Sequence, residues 1–294
     1  MIKRTLYFGN PAYLSTQNEQ INIKIDDKIT NIPIEDIGVL IIDHQQITVT
    51  STLISKLLEH NVAMITCNEK HHPTGMMLNL DGHTKQSKLF KHQLEASEPL
   101  KKQLWKQTIV TKIENQAVVL STKETPNAYL INLSKEVKTA DSTNCEAQAA
   151  AYYWKHLFDF SFKRERFGEA PNHVFNYGYA ILRAIVARNL VGSGLLPTLG
   201  IFHRNQYNAY CLADDIMEPY RPIVDNYILT LLEIHELTEE LSKELKVGLL
   251  QIPVLDVKIG QAKRPLMVAV QETTASLAKC FEGKEKKIKY PKLI

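Results

Sequence analysis

The sequence predicts an α+β fold of two domains, a small β-rich N-terminal domain followed by a larger all-α C-terminal domain. Two features predict it. Short β-branched or alternating segments fill residues 1 to about 80, and apolar residues recur at helical spacing from residue 85 onward. We expect the β-rich domain over residues 1–75, a linker over 76–84 and the helical domain over 85–294.

The N-terminal segments predict strands joined by short turns. Asn18-Glu19 separates two β-rich runs and predicts a hairpin, whereas the continuous apolar run at residues 37–42 is typical of a more buried strand. Leu53, Leu57 and Leu58 share one stripe of a predicted helix over residues 52–60. The predicted strands are residues 4–8, 13–17, 20–25, 29–34, 37–42 and 62–67, and residues 68–84 are predicted to be a linker or loose hairpin.

The rest of the chain carries helix signals with recognisable ends. Ser97 followed by Pro99 marks a helix start, the turn at residues 192–194 contains two glycines that stop a helix, and Pro265 opens the last one. The predicted helices are residues 85–96, 100–120, 127–138, 145–160, 175–190 and 266–281, with two or three more between 208 and 249.

Composition and charge exclude several classes of protein. The chain has 294 residues, 44% hydrophobic and 23% charged, which excludes a disordered or fibrous chain. Its four cysteines include no C-x-x-C pair, so neither a disulfide framework nor a zinc site is expected. There is no signal-peptide pattern and no run of 18 apolar residues, so we expect a cytoplasmic protein with no membrane association.

Glu146 is the first candidate for chemistry. Thr143-x-x-Glu146 fits a capping box, in which the glutamate would only bond the start of its own helix. A functional role is suggested by Ala149, Ala150 and Ala151, which leave the helix surface beside the carboxylate open to a bulky ligand. Considered alone, this segment favours the capping role.

A second set of candidates follows a stretch punctuated by Gly and Pro. His203 comes just after Gly200, and the block at residues 212–225 places four acids in an apolar setting: Asp214, Asp215, Glu218 and Asp225. Asp214 and Asp215 lie four and three residues before Glu218, a spacing that puts like charges on one helix face and favours a bound cation. The alternative is a solvated acidic cluster at a helix start.

Together, one histidine and several carboxylates from three segments form an oxygen- and nitrogen-rich donor set without thiolates. Such a set suits Mg²⁺ or Mn²⁺ better than zinc. Metal-dependent phosphodiester chemistry uses ligands of this kind.

Arginines accompany these residues. Residues 140–226 contain all but two of the arginines in the chain, and guanidinium groups suit phosphate recognition. Internal salt bridges to nearby acids are the alternative role. The candidates for DNA binding are Arg164, Arg166, Arg183, Arg188, Arg204 and Arg221.

The chain resembles the CRISPR-associated integrase/endonuclease family, the first and near-universal Cas protein of spacer acquisition. The resemblance rests on Cys145-Glu146-Ala-x-Ala-Ala-x-Tyr-x-Trp154, on His203, and on the block from Leu212 to Asp225, in that order and spacing. It extends over the whole chain. Residues 167–173 and the lysine-rich end resemble the branch that accompanies a single large RNA-guided effector nuclease.

The resemblance implies a metal-dependent DNA endonuclease and integrase. Its metal ligands and catalytic residues correspond to Glu146, His203 and Glu218, where some members have Asp in place of Glu218, and Asp215 corresponds to an assisting acid. The implied reaction is attack by the 3′-hydroxyl of a captured DNA fragment on a phosphodiester at the border of a repeat array.

The resemblance also implies partners. These are double-stranded DNA, a second copy of this chain joined through the β-rich domain, a bridging dimer of the small second Cas protein, and the large effector nuclease. Two other functions remain open: a stand-alone metal-dependent nuclease on branched or single-stranded DNA, and a non-catalytic DNA-binding scaffold.

The net charge of +3 conceals an uneven distribution. Residues 279–294 carry six lysines against two glutamates, and residues 76–139 carry ten lysines against six acids. The near-neutral total therefore does not argue against DNA binding. A solvated lysine-rich tail remains the alternative for the chain end.

Overall fold

The computed structural model of the chain describes residues 3–69, 71–165 and 168–293. The strands are β1 (Arg4–Phe8), β2 (Ala12–Gln17), β3 (Gln20–Ile25), β4 (Lys28–Pro33), β5 (Ile37–Ile42), β6 (Ile47–Val49), β7 (Ala63–Cys67), β8 (Pro73–Met77), β9 (Asp256–Ile259), β10 (Ala262–Pro265) and β11 (Pro291–Lys292). The helices are α1 (Ser51–Glu59), α2 (Gln86–Leu94), α3 (Glu98–Thr122), α4 (Ala128–Glu136), α5 (Cys145–Leu157), α6 (Asn172–Gly192), α7 (Cys211–Met217), α8 (Arg221–Ile234), α9 (Lys243–Leu249) and α10 (Leu266–Phe281).

The N-terminal strands form two four-stranded sheets. One has the order β1-β5-β7-β8, with β8 antiparallel at its edge, and the other has the order β4-β3-β2-β6. The predicted hairpin at Asn18-Glu19 is confirmed: β2 and β3 are antiparallel, and both turn residues have φ near +55°, at 53° and 56°.

The two faces of β5 explain its continuous apolar sequence. Ile37 and Leu40 pack with α1 and the second sheet, while Val39 and Ile41 join the core of the helical region. A strand covered on both faces needs apolar residues at successive positions rather than alternation. The first sheet thereby connects the N-terminal strands to the helices.

The C-terminal region is largely helical, but the prediction that it is all-α is wrong. Residues 256–265 form an antiparallel hairpin, β9 and β10, around Gly260, whose φ is +59°. The chain end adds β11 on the other side of β9. These strands are four residues long or shorter, too short for a periodicity to be recognised in the sequence.

The segment between the two regions is partly a hairpin. β8 pairs antiparallel with β7, so the hairpin alternative for residues 68–84 holds, and the proposed boundary at residue 75 falls within β8. The division into residues 1–75, 76–84 and 85–294 stays a prediction. Within the described ranges, every helix is too short or too polar to cross a membrane.

The lysine-rich end is anchored to the helices rather than loosely solvated. Gln107 on α3 donates to the carbonyl of Lys286 and accepts from the amide of Ile288. The Tyr290 hydroxyl lies 2.8 Å from the Thr108 hydroxyl.

Candidate functional site

The start of α5 presents Glu146 without using it as a cap. The carboxylate of Asp141 accepts hydrogen bonds from the amides of Cys145 at 2.8 Å and Glu146 at 2.9 Å. The capping box predicted from Thr143 is therefore wrong, because a carboxylate four residues before the helix supplies the cap from outside the local pattern. The side chain of Glu146 is left available for another partner.

That partner is Lys112 of α3, which no motif had indicated. Its Nζ donates to Glu146 Oε1 at 2.7 Å and forms an ion pair with Glu218 Oε2 at 2.6 Å. The side chain of Lys112 is only 12% exposed. The helical spacing of the sequence could have identified Lys112. It lies three residues after the buried Ile109 and four after the buried Thr108, which places a lysine on the buried face of the helix.

Glu218 lies in the 3-10 turn between α7 and α8 and receives a second cation. Arg221 Nε donates to Glu218 Oε1 at 2.8 Å. Burial alone favours the neutral acid, but Arg221 and Lys112 outweigh it and lower the pKa of Glu218 to about 2. Burial also opposes the charge of Lys112, yet the two glutamates raise its pKa above the usual value.

Asp215 holds the loop that carries His203. Its carboxylate accepts from the amides of Ile201, Phe202 and His203 at 2.7, 2.9 and 3.2 Å, and His203 Nδ1 lies 2.5 Å from Oδ1. This hydrogen bond raises the pKa of His203 against the effect of burial. Asp215 thus positions the imidazole, and its own oxygens are taken.

The loop has further constraints. A Cβ on Gly200 would lie 2.3 Å from the His203 carbonyl oxygen and 2.8 Å from Asp215 Oδ2, so no other residue fits there without movement. Phe202 stacks on Trp105 of α3 with ring centroids 4.2 Å apart. The side chain of His203 meets the same indole edge-on at 5.6 Å. The geometry thereby fixes His203 beside α3.

The four acids of residues 212–225 do not form one cluster. All are buried, so the solvated alternative is wrong, and each has its own partners. Asp214 accepts from Arg183 and Asn208, Asp215 holds the His203 loop, Glu218 meets Lys112 and Arg221, and Asp225 accepts from the hydroxyls of Tyr153 and Tyr179. Because the four acids are buried, their neighbours in the sequence are apolar.

The fit of a divalent cation can be tested on the Glu146–Glu218 pair. Both carboxylates approach one ammonium nitrogen, so the protein already gathers them around a cation, and Glu218 Oε2 is buried and accepts no well-aligned hydrogen bond. Such hard oxygen ligands suit Mg²⁺ or Mn²⁺. The fit is incomplete, however, since no three His, Cys, Asp or Glu residues of the described chain are grouped closely enough to hold a metal ion together.

Glu218 and the Lys112 ammonium that joins it to Glu146 lie at a cavity of about 970 Å³. Lys112 and Glu218 line it, together with Arg164, Arg183 and Arg221. The hairpin between β7 and β8 supplies part of its wall through residues 68–74, excluding residue 70, which lies outside the described ranges. The cavity therefore combines acids, guanidinium groups and a contribution from the N-terminal strands.

The predicted arginines differ in their surroundings. Arg164 donates to the side chains of Asn172 and Asn176. The guanidinium groups of Arg164 and Arg221 both lie over the Tyr179 ring. Arg188 is buried, donates to the carbonyl of Asn61 and does not line the cavity, while Arg204 is exposed and donates to Glu98 at 2.7 Å. Arg166 lies outside the described residues. Among the predicted arginines that the structure describes, Arg164, Arg183 and Arg221 line the cavity that Glu218 also lines.

The fold and the site define an α+β protein in which Glu218, joined to Glu146 through Lys112, lines a cavity together with three arginines. The profile of the family described as CRISPR associated protein Cas1 matches residues 6–251. A protein of Neisseria meningitidis serogroup C, named CRISPR-associated endonuclease Cas1, is 38% identical over 299 aligned positions that cover 100% of this chain and 97% of the relative. The chain belongs to the Cas1 family, which confirms the resemblance seen in the sequence.

Solved structures show the same fold. A Cas1 protein from Thermotoga maritima has a TM-score of 0.74 at 16% identity, with 96% of this chain and 98% of that chain covered. A casposase bound to integration product has a TM-score of 0.79 at 19% identity, with 98% and 92% covered. These structures confirm an α+β fold with N-terminal strands and a helical C-terminal region.

Proposed function

We propose that this chain is a metal-dependent DNA endonuclease and integrase of CRISPR adaptation, which inserts captured DNA fragments into a repeat array. The observation that carries the proposal is the Glu146–Glu218 pair, gathered around one cation at an arginine-lined cavity. Family membership and the endonuclease name of the Neisseria meningitidis relative support the activity. The structural neighbour that is a casposase bound to integration product supports strand transfer over hydrolysis alone.

The proposed roles follow from the contacts. Glu146 and Glu218 would hold Mg²⁺ or Mn²⁺, and His203, which Asp215 positions, is the proposed third ligand, although the three side chains are not grouped around one point in this structure. The ion supplies charge neutralisation at the attacked phosphodiester. Arg164, Arg183 and Arg221 would bind the backbone phosphates, which aligns the 3′-hydroxyl with the phosphorus atom.

Partners are proposed on similar grounds. Two structural neighbours belong to Cas6-RT-Cas1–Cas2 complexes, which supports a small second Cas protein as partner. Tyr13 and Ile29 lie on either side of Lys24, on one face of the β4-β3-β2-β6 sheet, and are 47% and 65% exposed. These two exposed apolar side chains support a homodimer formed through the N-terminal strands. The association with a large effector nuclease stays a prediction.

The test is strand transfer of a short duplex into a repeat-bearing plasmid, with the small partner present. We expect Glu146→Gln, His203→Ala and Glu218→Gln each to reduce transfer at least about a hundredfold, because each removes a ligand or orienting group, while DNA binding survives. Glu233→Gln, on the exposed end of α8 with Lys123, is the matched control and should transfer normally.

The same assay separates the alternatives. Joined products indicate an integrase, and cut products without joining indicate a stand-alone nuclease. If all three variants retain the full transfer activity of the wild type, the three residues are not catalytic, and the result would point to a DNA-binding scaffold. Transfer that persists in excess EDTA would refute the metal requirement.

A further inference from the structure

Lys112 is an enclosed cation that nothing in the motifs predicted. Its ammonium group lies between the carboxylates of Glu146 and Glu218, 2.7 and 2.6 Å from their nearest oxygens. The side chains of the two acids are 24% and 7% exposed, so little water is available to separate their charges. Two carboxylates in such surroundings repel each other unless a cation is placed between them.

The two cations at Glu218 differ in how firmly they are held. Arg221 donates through Nε to Oε1, and its guanidinium lies over the Tyr179 ring at 4.5 Å from the centroid. Lys112 contacts Oε2 and has no aromatic neighbour among the recorded contacts of the described residues. An ammonium on a flexible four-carbon stem is a compact point charge that can move, whereas a stacked guanidinium is fixed in orientation.

We propose that Lys112 is a resident counter-cation, which holds the Glu146–Glu218 pair together before metal binding and competes with the divalent ion for the same oxygens. The inference rests on the proposed function, since it takes these two glutamates as metal ligands. Because Lys112 also lines the cavity, its ammonium has an open space to enter once a divalent ion replaces it. There it would face the phosphates held by the neighbouring arginines.

A purely structural salt bridge gives a different expectation. In that case Lys112 would stabilise the fold, and its removal would leave the metal affinity unchanged or weaken it by disturbing the two ligands. A competing cation has the opposite effect on metal binding, since its removal leaves the Glu146 carboxylate and Oε2 of Glu218 without a cation between them, while Arg221 still holds Oε1 of Glu218. The sign of the change in metal affinity therefore separates the two roles.

The experiment is calorimetric titration of Mn²⁺ into the full-length protein without DNA, for the wild type and Lys112→Met. Lys106→Met is the matched control, since this lysine lies on the same helix, is partly exposed and has no ion pair recorded among the described residues. We expect Lys112→Met to bind Mn²⁺ at least about tenfold more tightly than the wild type, because no ammonium has to be displaced. The control should bind like the wild type.

A second readout is the melting temperature in EDTA and in saturating Mn²⁺. Lys112→Met should melt below the wild type in EDTA and recover more on addition of Mn²⁺, since a ligand that binds only the folded state stabilises it by an amount that rises with the logarithm of its affinity. If Lys112→Met does not fold in EDTA, Lys112→Gln, which is neutral but can donate to both carboxylates, provides the same comparison.

The outcomes distinguish this inference from the proposed function. Equal or weaker Mn²⁺ binding by Lys112→Met, with normal binding by the wild type, would overturn the counter-cation role alone. Absence of Mn²⁺ binding in every variant, together with strand transfer in EDTA, would overturn both.

Discussion

The acidic residues of this site have different roles. Glu146 and Glu218 share one ammonium group, whereas Asp215 is used entirely by the loop that carries His203. The role of an assisting acid, which the family resemblance attached to Asp215, is therefore best described as positioning. A carboxylate that accepts three backbone amides and an imidazole has no oxygen left for another partner.

Asp215→Asn tests this positioning role. The amide retains one acceptor oxygen but places a donor against backbone N–H groups, so we expect a loss of about 1–3 kcal/mol in the free energy of unfolding. Urea unfolding followed by fluorescence measures it. Asp256→Asn, at an exposed ion pair with Lys263, is the control and should change stability little. A loss no larger than that of the control would contradict the role.

Asp225 gives a prediction on pH dependence. Burial raises its pKa to about 7, although the hydroxyls of Tyr179 and Tyr153 oppose the shift. In the folded state Asp225 therefore retains a proton that it releases near pH 4 in the unfolded chain. As the pH rises from about 4 to 7, the contribution of Asp225 to the free energy of unfolding falls by up to about 1.4 kcal/mol per pH unit, and above about pH 7 it levels off.

Asp225→Asn should remove this decline, because the amide does not titrate. The measurement is the free energy of unfolding in urea at several pH values between about 5 and 8, for the wild type and the variant. Parallel curves for the two proteins would show that Asp225 does not carry the proton.

At the scale of elements, a buried polar junction joins the strands to α9. The Asp43 carboxylate, at the end of β5, accepts from the Tyr7 hydroxyl at 2.6 Å and from Lys246 Nζ at 3.1 Å, and His71 Nδ1 lies 2.8 Å away. His71 belongs to the β7–β8 hairpin that forms part of the cavity wall. The position of this wall is thus tied to a helix distant in sequence.

Lys246→Met is expected to cost about 2–5 kcal/mol in the free energy of unfolding, because it leaves a buried carboxylate without its cation. Lys243→Met, at the exposed first position of the same helix, is the matched control. Urea unfolding of the two variants and the wild type checks the prediction. If both variants lose the same stability, the junction is not the cause.

At the scale of the whole molecule, the cavity collects charge from distant segments. Arg164 precedes α6, Arg183 lies within it, and Arg221 begins α8, yet all three line the same cavity. The net charge of +3 does not reveal this arrangement, because 35 Lys and Arg and 32 Asp and Glu nearly cancel over the whole chain, and acids such as Glu218 and Asp225 line the same cavity as the arginines. DNA affinity should follow the local arrangement of charge rather than the total.

Arg164→Gln tests that arrangement. We expect weaker binding of duplex DNA and a decrease of about one in the slope of log affinity against log salt, since one phosphate contact is lost. Fluorescence anisotropy at several salt concentrations gives the slope. Arg264→Gln is the control, since Arg264 is not among the residues that line the cavity, and this variant should leave the salt slope unchanged. An unaltered slope for Arg164→Gln would exclude a phosphate contact there.

Much of this protein was determined by sequence alone. Periodicity predicted most of the N-terminal strands and most helices, because burial imposes local spacings of two or about 3.6 residues, and the turn residues Asn18-Glu19 predicted the hairpin. The motifs around Glu146, His203 and Glu218, in their order and spacing, carried the family resemblance, which the profile match confirms. The short strands β6 and β9 to β11 were missed, since so few residues carry no periodicity.

Only the tertiary structure decided how those residues meet. Lys112 stands between Glu146 and Glu218 because α3, α5 and the turn after α7 pack together, and separations of more than thirty residues leave no local trace. The structure likewise shows that Asp141, rather than Thr143, accepts the hydrogen bonds from the first amides of α5. The four acids that looked like one cluster were divided among four separate sets of partners, since each buried carboxyl group requires its own hydrogen bonds.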